Sequence, residues 1–138
     1  MTQENKELLV KDLGGRLPYG VKLLHTPTNE ITNLEMIGNG VIDGDIHDLI
    51  ENFKPYLFPL SSMTEEQREE FVKFADYESR LEDCGRHKEL YYYDLVGHEN
   101  NLYPNSDAID WLDKNHFDYR GLIPMGLAND ATNLGIYE

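Results

Sequence analysis

Lys54-Pro55-Tyr56-Leu57-Phe58-Pro59-Leu60-Ser61-Ser62-Met63-Thr64-Glu65-Glu66-Gln67 divides the chain into two regions of different character. Each proline fixes φ and removes a backbone donor, so residues 54–63 read as a rigid connector that excludes both a helix and a central strand. Thr64 then opens a helix, with Gln67 three residues on completing a capping box. The stretch organises the fold and carries no chemistry of its own.

Residues 4–13 precede it as a short amphipathic helix, with Leu9 and Leu13 stacked at i, i+4 and Gly14-Gly15 as its stop. Leu17-Pro18-Tyr19-Gly20 is a turn. Val21–His25 and Ile31–Ile37 read as an antiparallel hairpin around Thr26-Pro27-Thr28-Asn29. Gly38-Asn39-Gly40 is another turn, and Val41-Ile42 begins a third strand. Ile46, Leu49, Ile50 and Phe53 follow helical spacing, which predicts one or two helical turns there. Three strands make a stable sheet only if one face is covered, a task for the first helix.

Beyond the connector, Thr64 to about Asp83 reads as the longest helix, with Phe71, Phe74, Ala75 and Leu81 on its inner stripe. Leu90–Val96 reads as a strand, and Asn105 or Ser106 caps a helix to about Asn115 with Ile109, Trp111 and Leu112 facing inward. Short helical turns are expected over Phe117–Leu127, then an extended or frayed tail. The fold class is α+β: an N-terminal helix, a small antiparallel β-sheet, then a helix-rich acidic C-terminal half. At 138 residues this is most simply one domain.

Apolar residues at 40% are enough for a core, so wholesale disorder is excluded. The single cysteine, Cys84, rules out an internal disulfide and fits a reducing compartment. Glu4, Lys6 and Glu7 interrupt any secretory leader, and no apolar run approaches membrane-spanning length. A cytoplasmic protein is expected.

The net charge of −14 is the strongest compositional fact. Residues 30–51 carry six acidic side chains and no lysine or arginine, and residues 64–84 carry eight acidic against three basic. Such a surface repels phosphate backbones, which disfavours direct nucleic-acid binding. It suits solubility, or a negative face offered to a basic protein as a mimic of DNA.

Three blocks stand together: Leu17-Pro18-Tyr19-Gly20-Val21-Lys22; Lys54-Pro55-Tyr56-Leu57 through Ser61-Ser62-Met63-Thr64-Glu65-Glu66; and Trp111-Leu112 with His116-Phe117-Asp118-Tyr119-Arg120-Gly121-Leu122-Ile123-Pro124. In this order the chain resembles a set of small proteins of no assigned activity encoded by phages and prophages of gut Bacteroidales. The resemblance implies a setting, an accessory protein of a phage or mobile element inside a bacterial host cell. It implies no activity, cofactor or catalytic residue.

Four constellations bear on chemistry. Asp43, Asp45 and His47, with Glu51 near, have the residue types of a divalent-metal site, whether extended at period two or helical at i, i+4. A calcium loop fails because Lys54 stands where a bidentate glutamate is required, and ordinary turn chemistry explains the same residues. Cys84 and His87 have the spacing of a zinc pair, with His98 nearby, but a second pair is missing. His116, Asp118 and Arg120 suit acid–base work or phosphate clamping, yet no nucleophile elbow or phosphate loop accompanies them. Phe117 and Tyr119 anchoring a turn, with Asp118 as a cap or a partner of Arg120, explains them structurally. Tyr91 and Tyr93 suit a protein interface better than base stacking, which needs a basic groove.

The functional expectation is therefore a non-enzymatic protein that binds a host or phage protein, with Tyr91, Tyr93, His116, Asp118 and Arg120 as interaction residues, no cofactor and no assigned metal. The competing expectation is a small metal-dependent hydrolase or nucleotide-binding protein using Asp43, Asp45 and His47. A virion component is a third class, on which the sequence is neutral, as it is on self-association.

Overall fold

The computed structural model describes residues 1–72 and 106–138. The chain divides into two compact units, Met1–Leu57 with Leu122–Glu138, and Phe58–Gly121. It is an α+β protein, as the pattern predicts.

In the first unit, helix α1 (Gln3–Arg16) starts at Thr2, whose hydroxyl accepts the Asn5 N–H at 3.1 Å. The helix runs through Gly14-Gly15 instead of stopping there. Arg16 reaches back one turn to Asp12 through two bonds, Nε to Oδ2 at 2.7 Å and Nη2 to Oδ1 at 3.1 Å. Both side chains are fully buried. A bidentate pair of this kind outweighs the ~1 kcal/mol that each glycine costs a helix. The chain turns only after Leu17–Tyr19, at Gly20, where φ is +73°.

Strands β1 (Lys22–His25) and β2 (Glu30–Asn33) form the expected hairpin. The return strand breaks at Leu34-Glu35, and β3 (Met36–Gly38) pairs in a separate small sheet with β4 (Val41–Asp43) and β5 (Asp48–Leu49). Of the one or two helical turns predicted over residues 45–53, one appears as a 3-10 turn, Ile50–Asn52, with β5 in place of helix before it. Helical spacing over so short a run fits strand and turn equally well.

The largest correction concerns the proline stretch. Phe53–Pro59 is strand β6, with β1 on one side in antiparallel pairing. On the other side Tyr56 and Leu57 pair in parallel with β8 (Asn129–Asp130). Pro55 is tolerated because of its register. Thr26 N–H donates to Asn52 O at 2.9 Å, and hydrogen-bonded pairs alternate from there, so Leu23–Pro55 is a pair that exchanges no bonds. The missing donor faces the other edge, one residue before β8 begins. Pro59 is the last residue of the strand, where a lost donor matters least.

Leu9 and Leu13 of α1 cover the first unit's core, packing with Val21, Leu23, Ile42, Ile50, Phe53 and Leu57. The C-terminal tail is held, not frayed. Tyr137 donates its hydroxyl to Tyr56 O at 2.7 Å and accepts the Lys22 N–H at 3.0 Å. Burial pushes its phenol up to about 12, against a smaller lowering by the Lys22 N–H and the Arg16 charge.

In the second unit, Phe58 and Pro59 of β6 pair in parallel with β7 (Phe117–Asp118). The sheet through β6 is thus mixed, while β3, β4 and β5 pair purely antiparallel. Helix α2 begins at Glu65, is described to Val72, and carries the expected capping box: Gln67 N–H donates to Thr64 Oγ1 at 3.1 Å and Thr64 N–H to Gln67 Oε1 at 2.9 Å. Helix α3 (Ser106–Lys114) buries Ala108, Trp111 and Leu112. Trp111 stacks on Phe117 at 5.7 Å, meets Phe71 at 5.5 Å and donates to Glu70 Oε1 at 2.5 Å. Residues 117–118 form a short strand where helical turns were expected. The predicted strand over Leu90–Val96, and the helix beyond Val72, lie outside the described residues.

Candidate functional site

The hairpin of β3 and β4 builds one of two grooved surfaces in the first unit. Its tip, Asn39-Gly40, has φ of +53° and +74°, the positive pair that a two-residue type I′ turn requires. That turn fixes the register Met36↔Asp43, Ile37↔Ile42 and Gly38↔Val41. Side chains alternate between faces, so Ile37 and Ile42 point to the core while Met36, Gly38, Val41 and Asp43 share the outer face. Gly38 contributes no side chain there. The result is an open cleft of about 330 Å³ lined by Met36, Gly38, Val41, Asp43 and His47, with Ile37 and Asn39 completing it. Met36 is 62% exposed.

The rim is anionic. Asp43 Oδ1 lies 3.2 Å from His47 Nδ1. A Cβ placed on Gly44 would fall 2.9 Å from a Glu35 carboxylate oxygen, so Glu35 lies over the Asp43–Asp45 turn. Glu35, Asp43 and Asp45 are all exposed. Of the metal candidates, then, only Asp43 and His47 are brought into side-chain contact. Glu51 is engaged elsewhere, with Lys6 Nζ at 3.5 Å. Among the described residues no group of three His, Cys, Asp or Glu side chains is placed to hold a metal ion.

A second groove, of about 540 Å³, runs between α1 and β5. Lys6, Val10 and Lys11 line one wall, and Leu49, Ile50 and Glu51 the other. Its charges are of both signs.

A polar relay centred on buried His25 escaped the sequence reading. His25 is 5% exposed, packs on Phe53 with ring centroids 4.9 Å apart, and has both nitrogens engaged. Nδ1 lies 2.7 Å from Thr28 Oγ1 and Nε2 lies 2.8 Å from Asp48 Oδ2. The His25 bond, followed by the Leu49 N–H and Asn52, lowers the Asp48 pKa below its ordinary value of 3.8. Asp48 was visible beside His47. Its partner lies 23 residues away, and only the parity of His25 on the buried face of β1 hints at the contact.

In the second unit the stretch 116–120 is mostly interior. Asp118 and Tyr119 are each 4% exposed, and His116 and Arg120 are half-buried. His116 has a φ of +63° and presents its carbonyl to Phe58 N–H at 2.8 Å. The Arg120 guanidinium lies over the Tyr119 ring at 4.8 Å, and Tyr119 donates to buried Asp113 Oδ1 at 2.7 Å. Phe117 and Tyr119 anchor the turn, as the structural reading expects. Asp113, the carboxylate that binds Tyr119, was missed. Tyr91, Tyr93, Cys84, His87 and His98 lie outside the described residues.

No protein-family model, curated protein or solved structure matches the chain. Among the described residues, no helix is long and apolar enough to cross a membrane.

Proposed function

We propose that the chain is a non-enzymatic binding protein that engages a basic protein partner, serving as an accessory protein of a phage or mobile element in the bacterial cytoplasm. One observation supports it above the others. The stretch 30–51, with six carboxylates and no lysine or arginine, exposes Glu30, Glu35, Asp43 and Asp45 to solvent while its apolar residues Leu34, Ile42 and Ile50 go to the core. The other two carboxylates of the stretch are engaged within the unit, Asp48 with His25 and Glu51 with Lys6, and exposed Asp43 sits beside His47. Such a face attracts cationic surfaces and accelerates encounter with them, and it imitates the charge of a nucleic-acid backbone. The acidic, helix-rich half beyond residue 63 is part of the proposal, as a second carboxylate-bearing surface.

The test is affinity purification from lysogenic or infected cells, followed by an affinity measurement on each purified partner. Neutralising Glu35→Gln, Asp43→Asn and Asp45→Asn together should weaken binding at least about tenfold, at the low end of what desolvated charge pairs contribute. Undiminished affinity with an acidic or neutral partner contradicts the reading.

A further inference from the structure

We propose that the cleft above Gly38 is a docking site for a cationic segment that presents one large apolar side chain between lysine or arginine residues. The inference rests on the protein-binding reading above and assigns it a place and a partner chemistry.

Three observations converge on that occupant. The first is the shape of the outer hairpin face. Cross-strand pairs on one face normally touch, but Gly38 opposite Val41 leaves a gap. At about 330 Å³ the cleft is at the small end of ligand pockets, suited to one large side chain rather than a whole cofactor. The second is its lining. Met36, mostly exposed, is a flexible and polarizable side chain of the kind that adapts to varied apolar partners. Val41 supplies the opposing wall. The third is charge. Asp43 lies on the cleft wall, with Glu35 and Asp45 beside it. An apolar side chain in the cleft thus brings its neighbours in sequence against carboxylates, which favours lysine or arginine there and rejects an acidic segment. The groove along α1 offers no comparable discrimination, because its lysines and glutamates balance.

Gly38 makes the proposal testable without damaging the fold. Its φ is not in the left-handed region, and an added Cβ would meet nothing within 4 Å. Gly38→Leu therefore adds a side chain at the lining of the cleft without a clash, and a side chain also suits a strand position better than glycine does.

The experiment is fluorescence anisotropy of the full chain with two labelled synthetic peptides, one with a tryptophan between lysines and one with glycine in its place. Wild type should prefer the tryptophan peptide by about tenfold or more, the value of burying one large apolar side chain. Gly38→Leu should abolish that preference at an unchanged melting temperature. Should Gly38→Leu melt lower, Met36→Ala, at an exposed position, decides instead and should reduce the preference. Equal binding of the two peptides by wild type, or a preference that survives Gly38→Leu or the deciding Met36→Ala, overturns the cleft as the site. In that event a cellular partner that still loses affinity in the carboxylate-neutralised protein leaves the broader reading standing.

Discussion

Tyr137→Phe tests how the C-terminal tail is held, and its effect changes with pH in a defined direction. The hydroxyl donates to Tyr56 O and accepts the Lys22 N–H, so its removal leaves a carbonyl and an amide unpaired in a half-buried position. At roughly 1 kcal/mol for each net hydrogen bond, the variant should lose about 2 kcal/mol near neutral pH. The alkaline limb runs the other way. Burial raises the folded-state pKa to about 12 from the ordinary value of 10.0. Above pH 10 the unfolded chain releases this proton while the folded chain keeps it, so wild-type stability falls as pH rises from about 10 to about 12. Two units at 1.36 kcal/mol each amount to about 2.7 kcal/mol. The other tyrosines are common to both proteins and cancel in the difference. Urea unfolding of wild type and Tyr137→Phe should show a gap of about 2 kcal/mol at pH 7 that closes by about pH 12. A gap that stays constant with pH, or no gap at all, refutes the account of the clamp.

Three further outcomes follow from the geometry. Trp111→Ala should cost about 3–5 kcal/mol, because the indole is buried between Phe71 and Phe117 and bonded to Glu70; a loss under about 1 kcal/mol by chemical denaturation would contradict that packing. Asp12→Ala should cost about 3–5 kcal/mol by removing both carboxylate bonds to the buried Arg16 guanidinium, and a near-neutral effect would show that the pair does not hold the last turn of α1. Titration with zinc, manganese or magnesium should give no saturable rise in melting temperature, since Asp43 and His47 form a pair without a third ligand among the described residues; a saturating shift lost in Asp43→Asn would revive the metal-dependent reading.

Local chemistry was legible in the sequence, and contacts between distant residues were not. The Thr64–Gln67 capping box and the Asn39-Gly40 turn follow from side chains and φ preferences within four residues, and both appear in the structure. The β6 strand was missed because Pro55 is forbidden only where its N–H would be needed, and register alone decides which edge that N–H faces. Gly14-Gly15 failed as a stop because the buried Asp12–Arg16 pair outweighs two weak helix formers. Neither register nor burial can be read from composition.

The site divides in the same way. The acidic bias of residues 30–51 and the closeness of Asp43 to His47 could be read directly. The cleft could not, because Gly38 reads as part of a turn while it in fact occupies the last strand position opposite Val41. The relay of Thr28, His25 and Asp48 joins the β1–β2 hairpin to β5, a meeting that depends on how two sheets pack. Spacing rules reach the first kind of feature and stop short of the second.

The central claim is that exposed carboxylates bind a basic macromolecule. Its most direct test is the affinity of the purified complex measured across a series of salt concentrations. Log affinity should fall steeply and linearly with log salt, and less steeply when Glu35, Asp43 and Asp45 are neutralised. Affinity that holds constant across the series in both proteins would contradict it.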